Sequence, residues 1–131
     1  SASRSLVSSP MKVGIDLDGT ITSLPELFAL LTRALVAAGH EVHVITYREI
    51  GSETRVAAEL EESGIHYTGL HLPQDFSSPP RWKARVATQL GLDLMIEDSP
   101  EVLAAMPSGV QRLWIADPDV FDLARCVRAL Q

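Results

Sequence analysis

Five short apolar runs, each followed by a stretch with helical spacing, leave this chain few folds to choose from. The runs cover residues 11–15, 41–46, 65–70, 92–96 and 110–115. Near-continuous apolar runs of this length read as strands buried on both faces, the pattern of a parallel sheet. Ser23-Leu24-Pro25-Glu26 has the form of a capping box. The helix it predicts carries Leu27, Phe28, Leu31, Ala34, Leu35 and Ala38 on one face and stops at Gly39. Ser52 is placed to cap a second helix, with Val56, Ala57 and Leu60 inward and an end at Gly64. A loop over residues 71–80, marked by three prolines, leads to a helix opened by Pro79 and Pro80. That helix bears Trp82, Val86 and Leu90 and closes at Gly91. Ser99 and Pro100 cap a short helix ending near Pro107. Asp117-Pro118 starts the last one, with Val120, Leu123, Val127 and Leu130 at helical spacing. The alternation predicts an α/β chain: a single-domain, three-layer α/β/α Rossmann-like fold on a five-stranded parallel sheet. Ligands of such sheets sit beyond the carboxyl ends of the strands.

Two of the five runs end in acids, which an apolar strand has no structural need for. The first leads into Asp16-Leu17-Asp18-Gly19-Thr20, the fourth into Glu97-Asp98-Ser99-Pro100. Carboxylates are costly to desolvate unless they are paired, hydrogen-bonded or bound to a cation. Asp16 and Asp18, two residues apart, leave an extended chain on the same side, within reach of one ion or one substrate. A bland alternative exists for the first pentapeptide alone, a strand end with an Asp-Gly turn. Two such strand ends in one small sheet make four carboxylates on one edge, which repel unless a cation gathers them.

Two further residues fit a phosphate-handling edge. Thr46 ends the second strand, where a hydroxyl and backbone amides can hold a phosphate oxygen, although threonine is also an ordinary strand residue. Lys83 falls in the opening of the helix after Pro79-Pro80, the end that favours anions. Arg81 and Arg85 add to that misfit, so either an anion lies nearby or the three form a solvated basic face.

At this point the chain resembles the haloacid dehalogenase-like (HAD) hydrolases, mostly phosphatases that work through an aspartyl-phosphate. Asp16-x-Asp18-Gly19-Thr20 resembles the first motif of that family, and three later signals match in chain order over residues 11–131. The resemblance implies Asp16 as the nucleophile and Asp18 as the acid and base. It implies Thr46 as the phosphate-binding hydroxyl, Lys83 as the partner of nucleophile and phosphoryl group, and Asp98 as a metal ligand beside Asp16 and Asp18. Glu97 is either a ligand or, as favoured here, acts through bound water. Oxygen donors and a phosphate substrate point to Mg²⁺. The aspartate at position 18 favours a phosphatase or phosphomutase over ion-pumping relatives, which carry threonine there. The alternatives are a phosphomutase or other phosphotransferase of the same family, or a non-catalytic phosphate- or protein-binding module.

Relatives often carry a cap domain between these motifs. The gaps here, residues 20–41 and 47–82, are too short for one, so a capless catalytic domain with an open site is expected. Such a site admits a bulky phosphorylated substrate, a small molecule or a macromolecular end. Alternatively, a homo-oligomer or the 71–80 loop would cover a smaller one. Arg48 and Trp82 are candidate leaving-group contacts, Trp82 being weighed more heavily as a core anchor.

The chain has 131 residues, 46% apolar and 21% charged, enough for one core. Its net charge of −6 argues against unspecific nucleic-acid or membrane-surface binding. No run approaches the length needed to span a bilayer. The lone Cys126 cannot form an internal disulfide, which fits a reducing cytoplasm, and it reads as a small core residue. Residues 1–10, rich in serine, read as a flexible arm or an appended remnant preceding Met11.

Overall fold

The computed structural model describes residues 9–119 and 123–131, without the side chains of 123–126. Its sheet is five-stranded and wholly parallel, in the order β3-β2-β1-β4-β5. The strands are β1 (Lys12–Ile15), β2 (Glu41–Ile45), β3 (Gly69–His71), β4 (Leu94–Glu97) and β5 (Gln111–Trp114). The helices are α1 (Pro25–Ala37), α2 (Glu53–Glu62), α3 (Pro79–Leu90), α4 (Pro100–Ala105) and α5 (Leu123–Leu130), with a 3₁₀ turn at Ile21–Ser23. This is the α/β architecture that the alternating pattern predicts.

Strand order decides where chemistry can sit. From β1 the chain steps outward through β2 to β3, then returns to β4 on the other side of β1 and continues to β5. The direction therefore reverses between β1 and β4, and in sheets of this kind the binding crevice lies beyond the carboxyl ends at such a point. Both acid-tipped strands lie at that switch point. Ile15 pairs with Ile96, so Asp16 and Glu97 emerge side by side.

Alternation along the central strands divides the core into two layers. Val13, Ile15, Val42, Val44 and Ile96 pack with Phe28, Val56 and Leu60 from α1 and α2. Ile45 and Met95 pack on the opposite face with Trp82, Val86 and Leu103 from α3 and α4. Gly14 lies on that second face, where a Cβ would collide with Leu92 and Met95. The strand can be central only because this position has no side chain.

Several local expectations are corrected. The capping box does not form: Leu24 is the N-cap of α1, and Ser23 Oγ donates instead to the Thr20 carbonyl at 2.7 Å. The inward face of α1 is rotated, with Leu27, Ala34 and Ala38 exposed and Phe28 and Thr32 buried. Thr32 tolerates burial because its hydroxyl donates to the Phe28 carbonyl at 2.6 Å and accepts from the His66 amide at 3.1 Å. Counting apolar residues overlooks a threonine satisfied in this way. Ser52 is the N-cap residue of α2, but its hydroxyl bonds the Glu49 carbonyl rather than the helix. Ser99 does cap α4, accepting from the Val102 amide. The third strand forms later than expected, at Gly69–His71; Asp117, Pro118 and Asp119 are not helical, and the described part of α5 runs over Leu123–Leu130. Val127 and Leu130 are exposed, and so is most of β5. The expectations for Val120, for the side chains of Leu123 and Cys126, and for most of residues 1–10 lie outside the described residues. Among the described residues no helix is long and apolar enough to cross a membrane.

Candidate active site

Lys83 is the hub of the switch-point crevice. It is the fifth residue of α3, one turn further in than the sequence reading placed it, and is buried to 3% exposure. Its Nζ donates to Asp16 Oδ1 at 2.6 Å and to Glu97 Oε1 at 2.8 Å. The ammonium is thus spent on carboxylates from two adjacent strands, not on a solvated basic face. Arg81 and Arg85, by contrast, are exposed, and Arg85 pairs with Asp75.

The remaining oxygens of the cluster are held as well. Asp16 Oδ2 accepts from Thr20 Oγ1 at 3.0 Å. Glu97 Oε2 accepts from the backbone amides of Asp98 and Ser99, both at 3.2 Å. Glu97 therefore has both oxygens engaged inside the protein. The Asp98 carboxylate stands over Gly19, where a Cβ would run into its Oδ2, and the Gly19 φ of 84° excludes most other residues as well. The Asp98 carbonyl accepts from Trp114 Nε1 at 3.0 Å, which ties the second acid loop to β5. Carboxylate oxygens of Asp16, Glu97 and Asp98 lie within 4.8 Å of one another.

Three carboxylates share one ammonium, so charge is left over. Burial pushes Glu97 up to about 8, a rise that the Lys83 charge opposes and that of Asp16 reinforces. Burial likewise raises Asp16 against the pull of Lys83. Burial works against the Lys83 ammonium too, yet the charges of Asp16 and Glu97 hold it above its ordinary value. The cluster needs either a proton or a cation to be at rest. Donors that are all oxygen fit a hard divalent ion such as Mg²⁺.

The shift at Glu97 has a measurable sign. A glutamate ordinarily ionises at pH 4.5, so between there and about pH 8 the folded chain binds the extra proton. Stability therefore falls as pH rises through that window, by up to about 1.4 kcal/mol per unit. In chelator, thermal melts from pH 5 to 8 should show a declining midpoint, and Glu97→Gln should flatten the decline. An unchanged slope in that variant would assign the effect elsewhere.

Thr46 follows β2 and is 1% exposed. Its amide donates to the His71 carbonyl at 3.1 Å, while its buried Oγ1 has no hydrogen-bond partner. A buried hydroxyl without a partner is costly, and a bound oxygen nearby would relieve it.

Asp18 stands apart from the buried hub. Its side chain is 59% exposed and both its oxygens accept from Arg48, at 2.6 Å from Nε and 2.9 Å from Nη2. Arg48 also reaches Glu59, at 3.0 Å from Nη1 and 3.1 Å from Nη2. Its hydrogen bonds to Asp18 and Glu59 raise Arg48 further above its usual range, and the bond that Glu59 accepts lowers Glu59. Trp82 is buried in the α3 and α4 layer, the core position weighed for it, and lies edge-on to Tyr47 at 5.9 Å between ring centroids.

The structure thus gathers Asp16, Lys83, Glu97 and Asp98 at the switch point and sets Asp18 with Arg48 at the rim. Sequence reasoning assigned no role to Thr20, although its position four residues after Asp16, in a glycine turn, was a usable signal. Glu59 carried no signal; it meets Arg48 only because α2 packs beside the end of β2. Compared with known proteins, the chain matches no family model and no curated protein sequence.

Proposed function

We propose that this chain is a Mg²⁺-dependent phosphatase of the HAD-like type, acting through an aspartyl-phosphate. The observation that carries this reading is the buried Asp16-Lys83-Glu97 cluster at the β1/β4 switch point, with Asp98 beside it.

Asp16 is the nucleophile. One carboxylate oxygen bonds to phosphorus in line as the bond from phosphorus to the leaving oxygen breaks. Asp18, at the exposed rim, gives its proton to that leaving oxygen. It then takes a proton from the water that cleaves the phosphorus bond to Asp16 and regenerates the enzyme. Lys83 holds Asp16 in place and, with the unpartnered Thr46 hydroxyl, binds phosphoryl oxygens. Asp16, Asp98 and the Asp18 carbonyl would hold Mg²⁺, which offsets charge on the phosphoryl group. Glu97, with its oxygens already engaged, serves to fix Lys83 and the loop that bears Asp98.

Substrate access follows from the chain's economy. Between β1 and β2 the chain places only a 3₁₀ turn and α1, and between β2 and α3 only α2 and β3. No inserted cap stands among these described residues, so the rim at Asp18 opens to solvent and admits bulky leaving groups.

The test is phosphate release from nucleotides, sugar phosphates, phosphopeptides and end-phosphorylated oligonucleotides, with Mg²⁺ and with chelator. Release should require the metal. Asp18→Asn should lower turnover by about 10²- to 10⁴-fold, the range for a lost general acid-base, with an unchanged melting temperature. Full activity in that variant would sink the assignment.

A further inference from the structure

Arg48 is held between two carboxylates, and the two differ in kind. Nε and Nη2 form a two-pronged contact with Asp18 at 2.6 and 2.9 Å, while Nη1 and Nη2 form a second with Glu59 at 3.0 and 3.1 Å. Glu59 belongs to α2, and the Arg48 side chain is only 25% exposed. Asp18 follows β1 on a loop and is the most exposed of the three. Glu59 is the anchor, and Asp18 is the partner free to leave.

While this contact is closed, both Asp18 oxygens face a guanidinium and neither is available to a leaving group. Once Asp18 turns away, Glu59 still keeps Arg48 in place. The edge formed by Nε and Nη2 then offers two parallel donors at the rim of the crevice. That fork matches a carboxylate or a phosphate and has no use for a neutral hydroxyl.

We propose that Arg48 is a substrate-opened clasp, selecting phosphomonoesters whose leaving portion carries a second anionic group. The second anion takes the place of Asp18 on Arg48 and frees Asp18 to serve the leaving oxygen. This rests on the phosphatase reading and adds to it a substrate class. A neutral leaving group must break the contact with nothing to replace it, whereas an anionic one exchanges one ion pair for another. Selection of this kind spends binding energy on assembling the catalytic groups.

The test compares 3-phosphoglycerate with glycerol 3-phosphate, which differ by a carboxylate in place of a hydroxymethyl group. Propanediol bisphosphate, against its monophosphate, distinguishes a second phosphate from a carboxylate as the preferred group. The native protein should favour at least one anionic member by about tenfold in kcat/KM, the worth of one charge-assisted hydrogen bond. Arg48→Ala should bring the ratio close to one by raising KM for the anionic compound and raising kcat for the neutral one. Arg48→Lys, which lacks the fork, should restore little of the preference. A native ratio near one, a ratio unchanged by Arg48→Ala, or an equal loss on both members overturns the clasp and leaves the phosphatase reading standing. No Asp16-dependent release from any of the compounds, in a protein that also releases none from the broad panel, overturns both.

Discussion

Asp16→Asn should abolish phosphate release from every phosphoester while leaving the chain folded. The loss expected is on the order of 10⁴-fold or more, as when a covalent nucleophile is removed elsewhere. The substitution is nearly isosteric: its amide oxygen can still accept from Lys83 while its NH2 donates to the Thr20 hydroxyl. It also removes one of the carboxylates crowded around Lys83, so the melting temperature should hold or rise. Rapid acid quenching of the native protein with substrate should trap phosphate covalently, and the variant should trap none. Retention of a tenth of native turnover in Asp16→Asn would rule out the aspartyl-phosphate. A variant that is inactive because it is unfolded would reveal itself in the melt.

Lys83→Met should be the most destabilising single change in the site. The lysine is almost fully buried, and among the described residues it is the only ammonium bonded to Asp16 and Glu97. Removing it leaves buried carboxylates facing each other without compensation. Breaking one side of such a pair costs about 3–5 kcal/mol, a large fraction of the stability of a domain this size. Denaturant titration at pH 7 should register that loss, and lowering the pH should recover part of it as the carboxylates take up protons. Adding Asp16→Asn to Lys83→Met should recover part as well, because one of the stranded charges is gone. A loss below 1 kcal/mol would mean that Lys83 does not neutralise these two acids. On the phosphatase reading proposed above, activity should vanish in either case, since there Lys83 both positions the nucleophile and meets the phosphoryl group.

The two predictions concern residues of unequal legibility. Asp16 was readable because an acid closing an apolar strand contradicts its surroundings, and contradictions of that kind stand out in a linear pattern. Lys83 was readable as a basic misfit near the start of a helix, but its partners were not. The sequence reading set it against an anion, and the anions are Asp16 and Glu97, 67 and 14 residues away.

What the amino-acid order settled is the alternation of strands and helices, the parallel sheet, and the two acid-tipped strand ends. These depend on spacing over a few residues, where side-chain volume and backbone geometry act locally. The strand order, with β4 next to β1, belongs to tertiary packing, and it alone turns two distant acid pairs into one crevice. The same holds for the rotated face of α1, where a satisfied Thr32 replaces Leu27. Tertiary packing also brought Arg48, which the local pattern offered only as a candidate leaving-group contact, to both Asp18 and Glu59. Charges distant in the chain are valued by what they meet after folding, because burial and pairing set the energy of a charge far more than its neighbours in sequence do.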